Sequence, residues 1–404
     1  MDAIVLEWGG LILRWVHIIT GIAWIGSSFY FMHIDAGLRP AADIPSGKGG
    51  ETWEVHGGGF YQVRKFLVAP TQLPDELIWH KWESYSTWIS GFFLLVWIYY
   101  LSADLYLIDP SVRALSAPVA AAIGIGSLAL GWIVYDLLVK SALSKNAVAL
   151  ATVGFAFVVA MAWVYQHLFS GRGALIHTGA LMGTIMSGNV LMNIIPNQKK
   201  VIADLVAGRS PNPDFGIQAK TRSTHNNYLT LPVLFMMISG HYPLVFTSSH
   251  AWVMVGFVLI AGALIRHFYN ERHAGRGDKW WAWGVAALAM LVVVVISMAT
   301  NPTGRERLGL KAVKPARVLA TAQVPKAVDD ILTTRCSMCH AREPVWPGIA
   351  APPKGVRLDT RDEMSRQAPA IRLQAVLTAA MPPNNITAMT AGERQTLAEW
   401  LQRL

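Results

Sequence analysis

Apolar runs of roughly twenty residues recur along the first three-quarters of this 404-residue chain, and nothing constrains its fold more. A run of that length, coiled as a helix, matches the hydrocarbon thickness of a bilayer. A helix also satisfies its own backbone where no water is available to do so. Eight spans are expected, at approximately 9–32, 84–108, 114–138, 146–169, 174–196, 227–247, 249–269 and 280–300. The sixth contains Pro232 and ends near His241-Tyr242-Pro243, so it is expected to be irregular and kinked. The first lacks a small-residue cleavage site and simply continues, which reads as an anchor rather than a leader.

The formal net charge of +9 does not point to nucleic acid, because the basic residues are sorted between alternate loops. Arg39, Lys48, Arg64, Lys65, Lys81, Lys140, Lys145, Lys199, Lys200, Arg209, Lys220, Arg222, Arg272, Arg276 and Lys279 fall on one side. Only Arg113 and Arg172 occupy the other side's loops. The basic side is expected to be cytoplasmic, which puts both termini outside. A basic run after the last span, Arg305 to Arg317, is the one counter-signal. Glycine, proline and charge then mark a seam, so three parts are expected: a membrane-integral domain over 1–300, a linker over 301–325, and a small domain over 326–404.

That last part carries Cys336-Ser337-Met338-Cys339-His340, the attachment signature of a c-type haem. Two thiols add to the haem vinyl groups, and the adjacent imidazole lies over the iron. Both cysteines of the chain are used here, which excludes disulfides and cysteine-rich zinc sites. A thioredoxin-type pair would not need the histidine and would expect a βαβ setting. Met381, on the proline-stiffened stretch Ala380-Met381-Pro382-Pro383 about forty residues further on, is the expected distal ligand, with Met389 and Met364 as competitors. A last helix is expected from Thr390-Ala391-Gly392-Glu393, burying Leu397, Trp400 and Leu401. The expected fold class is therefore all-α: a polytopic membrane bundle of about eight helices followed by a small class I cytochrome c domain. Covalent haem attachment in bacteria occurs outside the cytoplasmic membrane, and an even number of spans delivers the C-terminus there. The expected location is the bacterial inner membrane, with the cytochrome domain periplasmic.

Ionisable groups at membrane depth are functional candidates. His17 and His177 occupy similar places in the first and fifth spans, and a faint match continues through Ile25/Ile185, Ser27/Ser187, Met32/Met192 and Ile34/Ile194. A four-plus-four repeat is one explanation, and chance similarity between apolar helices is the other. The two histidines are candidate axial ligands of a b-type haem; the plainer alternative is a pair of helix histidines hydrogen-bonded to their neighbours.

Two loops on the basic side carry the other candidates. The first holds His56-Gly57-Gly58-Gly59-Phe60-Tyr61-Gln62-Val63-Arg64-Lys65 and His80; the second holds Arg222 and His225-Asn226-Asn227-Tyr228. Guanidinium, ammonium, amide and imidazole groups beside aromatics suit a planar anion with many polar edges. A solvated basic loop that binds lipid head groups remains the alternative. No HExxH, P-loop, GxGxxG or GxSxG pattern is present, so zincin, NTPase, nicotinamide and serine-hydrolase chemistries have no support.

These two loop motifs, the spans and the haem motif with Met381 together resemble the bacterial membrane-integral, cytochrome c-linked urate oxidases, over essentially the full length. More faintly, the first span around His17 and Trp24 resembles membrane haem-binding protoporphyrinogen oxidases. The first resemblance implies oxidation of urate to 5-hydroxyisourate, with electrons leaving through the haem to a soluble cytochrome c or terminal oxidase, and no peroxide formed. On that scheme Arg64, Lys65 or Arg222 neutralises urate, His56, His80 or His225 takes the proton, and Tyr61, Asn226 and Asn227 orient the ring. A non-catalytic conduit from quinol to cytochrome, without a urate site, uses the same parts and stays open.

Overall fold

The computed structural model describes residues 3–45, 48–66, 74, 76–109, 112–300, 308–309, 324–349, 352–353 and 356–403. The expected linker, 301–325, lies almost wholly outside them. Helices dominate, and among the described residues six are long and apolar enough to cross a membrane: Ile4–Gly37, Ala117–Lys140, Ala147–Gln166, Gly171–Val206, Ala251–His273 and Trp281–Ala299. We label the first α1, the next two α4 and α5, and the last two α10 and α11. Gly171–Val206 is α6 (Gly171–Asn189), a π turn at Val190–Ile194, and α7 (Ile195–Val206).

The other two expected spans also form helices, with different limits. α2 covers Trp82–Leu95 and passes into a π turn at Val96–Tyr100, after which a one-turn α3 covers Ala103–Tyr106. α8 runs Pro213–Ser239, starting fourteen residues before the expected span, because Gln218 to Asn227 find polar partners inside the bundle. Pro232 stays within that helix, and the break falls later, between Ser239 and the short α9 at Pro243–Phe246. Asn212 caps α8 by accepting from the Asp214 backbone N–H, with Pro213 at the first helical position.

The outward face of α1 is apolar along its length. Ile4, Trp8, Leu11, Trp15, Ile18 and Ile22 are all exposed, and their spacing lays them along one helical stripe. A continuous apolar stripe facing water would be unfavourable, whereas hydrocarbon accommodates it. α6 is the opposite case: twelve of its nineteen residues are buried, among them His177 and Asn189. Its glycines admit close neighbours. A Cβ at Gly171 would run into the backbone carbonyl of Phe246, which cannot swing away as a side chain can. Gly171→Ala is therefore expected to lower stability by about 1–3 kcal/mol, readable as a fall in the thermal midpoint of the purified protein.

A two-stranded antiparallel hairpin, β1 (Gly49–His56) and β2 (Gly59–Phe66), follows α1. Gly57 and Gly58 form its turn at φ +58° and +80°, which glycine alone adopts without strain. Gly57 and Gly58, beside His56, thus serve the hairpin turn.

The C-terminal unit consists of α12 (Lys326–Arg335), α13 (Ser337–His340), α14 (Arg361–Arg366), α15 (Ala368–Ile371, continuing as a π turn to Leu377) and α16 (Ala391–Arg403). Val328, Leu332, Leu358, Met364, Ile371, Leu397, Trp400 and Leu401 form its own core, which includes Cys336. Thr390 and Glu393 cap α16 reciprocally, as the Thr-x-x-Glu pattern predicts. The unit meets the bundle at one end: α3 lies against the Pro383–Asn385 turn, and Ala380 joins a core containing Phe246 and Ala251. The hairpin lies at the opposite end, tied to the last turns of α1.

Candidate functional site

The hairpin end of the bundle holds a buried polar cluster built by α4, α6 and α8. Arg222 is only 2% exposed, and its Nη2 meets Asp136 Oδ1 at 2.5 Å. Its Nη1 donates to Asn189 Oδ1 at 3.1 Å, and the guanidinium carbon sits 5.1 Å from the Tyr135 ring centre. Asn189 Nδ2 donates to the Tyr135 hydroxyl (3.0 Å) and to Asn226 Oδ1 (2.9 Å). Asn226 in turn donates to the Met186 carbonyl, and the Tyr135 hydroxyl lies 2.7 Å from His225 Nδ1. Lys140 reaches the other carboxylate oxygen of Asp136 at 2.6 Å.

Local sequence explains the convergence. Tyr135 and Asp136 end α4, Asn189 stands immediately before the π turn of α6, and Arg222, His225 and Asn226 share one face of α8 at i, i+3 and i+4. The π turn re-aims the chain just where Asn189 must reach two partners, a placement common at functional sites. The cluster gathers two cations, Arg222 and Lys140, around the Asp136 carboxylate, with two amides, a phenol and an imidazole that hydrogen-bond to one another and to Arg222.

The expected site residues divide. Arg222, His225 and Asn226 come together here. Asn227 points one position round the helix, where Arg266 donates to it at 2.6 Å and it donates weakly to Asn270. Arg266 also stacks over Phe29 at 3.8 Å. Arg64 and Lys65 are committed elsewhere: Arg64 to Asp43 and Glu51, and Lys65 to Asp35, which Lys220 grips from α8 at 2.6 Å. The hydrogen bond with Arg64 holds the Asp43 carboxyl below the usual carboxylate range. His56 and Tyr61 are exposed on the hairpin, and His80 is exposed beside Glu83 at 3.0 Å. These three join no cluster with Arg222. Tyr135, Asp136 and Asn189 belong to the site although nothing singled them out beforehand; Asp136, an acid inside an apolar run, was the available signal.

His17 and His177 do not face one another. His17 packs on Gly91 of α2 and His177 on Tyr100 of the π turn that follows it, nine residues further on, or roughly 13 Å along a helix. His17 Nδ1 lies 3.0 Å from the Thr87 carbonyl. His177 is fully buried among Tyr99, Tyr100, Tyr165 and Phe169, with Nδ1 2.7 Å from the Gly173 carbonyl and Nε2 3.1 Å from the Tyr100 hydroxyl. Rings fill the space a porphyrin would need, and the ligating nitrogen is already used. The pair does not fit a shared b-type haem.

The C-terminal donors do fit a c-type haem. Cys336 and Cys339 are both free and buried, at the junction of α12 and α13. Burial pushes the Cys336 thiol up to about 12, against a smaller lowering by Arg394. His340 Nδ1 lies 2.9 Å from the Val356 carbonyl, the outer contact that leaves Nε2 for iron. Met381 packs half-buried on the same core as Cys336, while Met364 and Met389 are sealed inside it. Asn384 and Asn385 take left-handed backbone in the loop that follows Met381, and Arg394 ties that loop down by donating to the Met381 carbonyl at 2.8 Å.

Comparison with curated proteins and with solved structures returned no match. The family described as "Urate oxidase N-terminal" matches residues 3–298, the whole helical bundle with its hairpin and the Arg222 cluster. With most of its length matched, the chain belongs to the Urate oxidase N-terminal family.

Proposed function

We propose that the protein is a membrane-bound oxidoreductase that converts urate to 5-hydroxyisourate and passes the electrons through a c-type haem. The family match over 3–298 carries this reading, because it covers the buried cluster whose chemistry suits urate. Arg222 supplies the positive charge that a urate monoanion needs, and Asn189 and Asn226 present amide edges to its ring edges. Asp136 holds the guanidinium until the anion competes for it. His225, hydrogen-bonded to Tyr135, is the nearest imidazole to accept a substrate proton. Cys336, Cys339, His340 and Met381 would hold the haem, which supplies one-electron acceptance at the outer end. The balanced reaction is urate plus water and two oxidised one-electron acceptors, giving 5-hydroxyisourate, two reduced acceptors and two protons. A soluble cytochrome c or a terminal oxidase takes the electrons onward. The bundle sits in a bacterial inner membrane with its basic end cytoplasmic and both termini periplasmic.

The test is anaerobic turnover of the purified, haem-loaded protein with a soluble one-electron acceptor. Two acceptor molecules should be reduced per urate consumed, and in air no hydrogen peroxide should accumulate. Urate left unconsumed while a quinol reduces the protein would replace this reading with an electron conduit. His225→Ala should lower the turnover rate by about 10²-fold or more, as expected for loss of a proton acceptor. An unchanged rate would remove His225 from the mechanism.

A further inference from the structure

Among the described residues the helical bundle buries three charged side chains: Asp136, Arg222 and Arg266. The first two answer one another at 2.5 Å. Arg266 is only 6% exposed and has no carboxylate partner among the described residues. Taking a guanidinium out of water is costly unless an opposite charge or further acceptors replace the water. The packing around Arg266 therefore leaves one positive charge unanswered.

Three helices fix its position. α10 carries Arg266, and Asn227 of α8 accepts from its Nε at 2.6 Å. Phe29 of α1 underlies the guanidinium, whose carbon stands 3.8 Å from the ring centre. The ring thus covers one face of the fork, and Asn227 takes the Nε side. That is the arginine's one hydrogen bond among the described residues, and neither terminal nitrogen is sealed inside the protein. Both Nη groups stay available, side by side in one plane, which is the geometry that grips a planar oxyanion through two hydrogen bonds.

Asn270 and His273 follow Arg266 at i+4 and i+7, on the same face of α10. Asn270 accepts from Asn227 at 3.4 Å, and the His273 ring centre is 4.4 Å from that of His33 on α1. His33 in turn meets Glu54 of β1 at 3.1 Å, which commits that carboxylate at the hairpin. α8 separates this group from the Arg222 cluster: Asn226 turns to the Met186 carbonyl of α6, and Asn227 turns to α10. Seven residues, roughly 10 Å of helix, lie between Arg266 and the end of α10. That depth favours a small anion that enters the protein over a lipid head group held at its surface.

We propose that Arg266, Asn227 and Phe29 form a second anion-binding site, separate from the Arg222 cluster, for a small planar organic monoanion. The anion's oxygens take both Nη groups, while Asn227 and Phe29 hold the fork flat and aimed. The bound charge answers Arg266, which accounts for a guanidinium kept where water is scarce. The site stands whether or not the Arg222 cluster oxidises urate, because none of its residues belongs to that cluster.

The test is equilibrium dialysis of the full, haem-loaded chain, its haem reduced beforehand with dithionite so that bound purine is not consumed. Benzoate is the main probe, since it has a planar carboxylate and none of the purine's polar edges. Wild type should bind it, and Arg266→Gln should weaken that binding by about thirtyfold or more. Glutamine keeps a donor for Asn227 and removes the charge, so the variant's thermal midpoint without ligand should not fall. Arg266→Lys keeps the charge without the fork; it should show a smaller loss of binding, and it serves should Arg266→Gln fold poorly. Arg222→Lys should bind benzoate as wild type does. Benzoate binding that is absent from wild type, or equal in wild type and the two Arg266 variants, would overturn the site. So would a phospholipid that copurifies with wild type and is lost in Arg266→Gln, which would make this a head-group site. Urate is dialysed alongside: benzoate held at Arg266 in a protein that binds no urate would leave this site standing and overturn the proposed activity instead.

Discussion

Replacing Arg222 by methionine will abolish urate oxidation and lower stability by about 3–5 kcal/mol, because it leaves a buried carboxylate without its principal partner. The guanidinium is 2% exposed and its partner Asp136 only 13% exposed at the side chain, so little solvent screens the pair. Lys140 remains on the other oxygen of Asp136, which should hold the loss near the lower end of that range. Arg222→Lys separates the two roles. A lysine keeps the charge, but it cannot present the planar fork that now serves Asp136 and Asn189 together. That variant should stay folded and show a raised KM for urate. Thermal unfolding and steady-state kinetics, measured on both variants, check these outcomes; full activity in Arg222→Met would place the urate site elsewhere.

The double change Cys336→Ser with Cys339→Ser should have the second large effect, confined to the other end of the molecule. The C-terminal unit buries a modest core around Leu332, Met364, Leu397 and Trp400, with Cys336 inside it. Units this small commonly need a staple, and a covalently held group is one. Without thioether bonds the protein should carry no haem through denaturing electrophoresis. Its C-terminal unit should become sensitive to protease while the bundle stays resistant. Electron delivery to a soluble carrier should fall to background. A variant that retained covalent haem would contradict the assignment of these thiols.

The helices were largely legible in the sequence because length and apolarity are what a bilayer selects. Their limits were not, as α2 and α8 show. The first is interrupted by a π turn, and the second extends through Gln218, Arg222 and Asn226 because buried partners satisfy groups that look solvent-bound in one dimension. The hairpin was missed although Gly57-Gly58 between two strand-like runs is a turn signal. In the site, Arg222, His225 and Asn226 were recognisable as a polar face. Arg64 and Lys65 are equally apt by type, and a sequence displays charges while hiding their partners: Asp35, Asp43 and Glu51 pair with them as Asp136 pairs with Arg222. Tyr135 and Asn189 have value only through what they touch across helices, so no local pattern marked them.

An anaerobic visible spectrum of the purified, air-oxidised protein, recorded before and after adding urate, tests the central claim most directly. The account predicts that urate alone produces the bands of reduced c-type haem, with no b-type bands from a haem on His177, which aromatic rings enclose. An oxidised spectrum that urate leaves unchanged, but that a quinol converts to the reduced form, would contradict it.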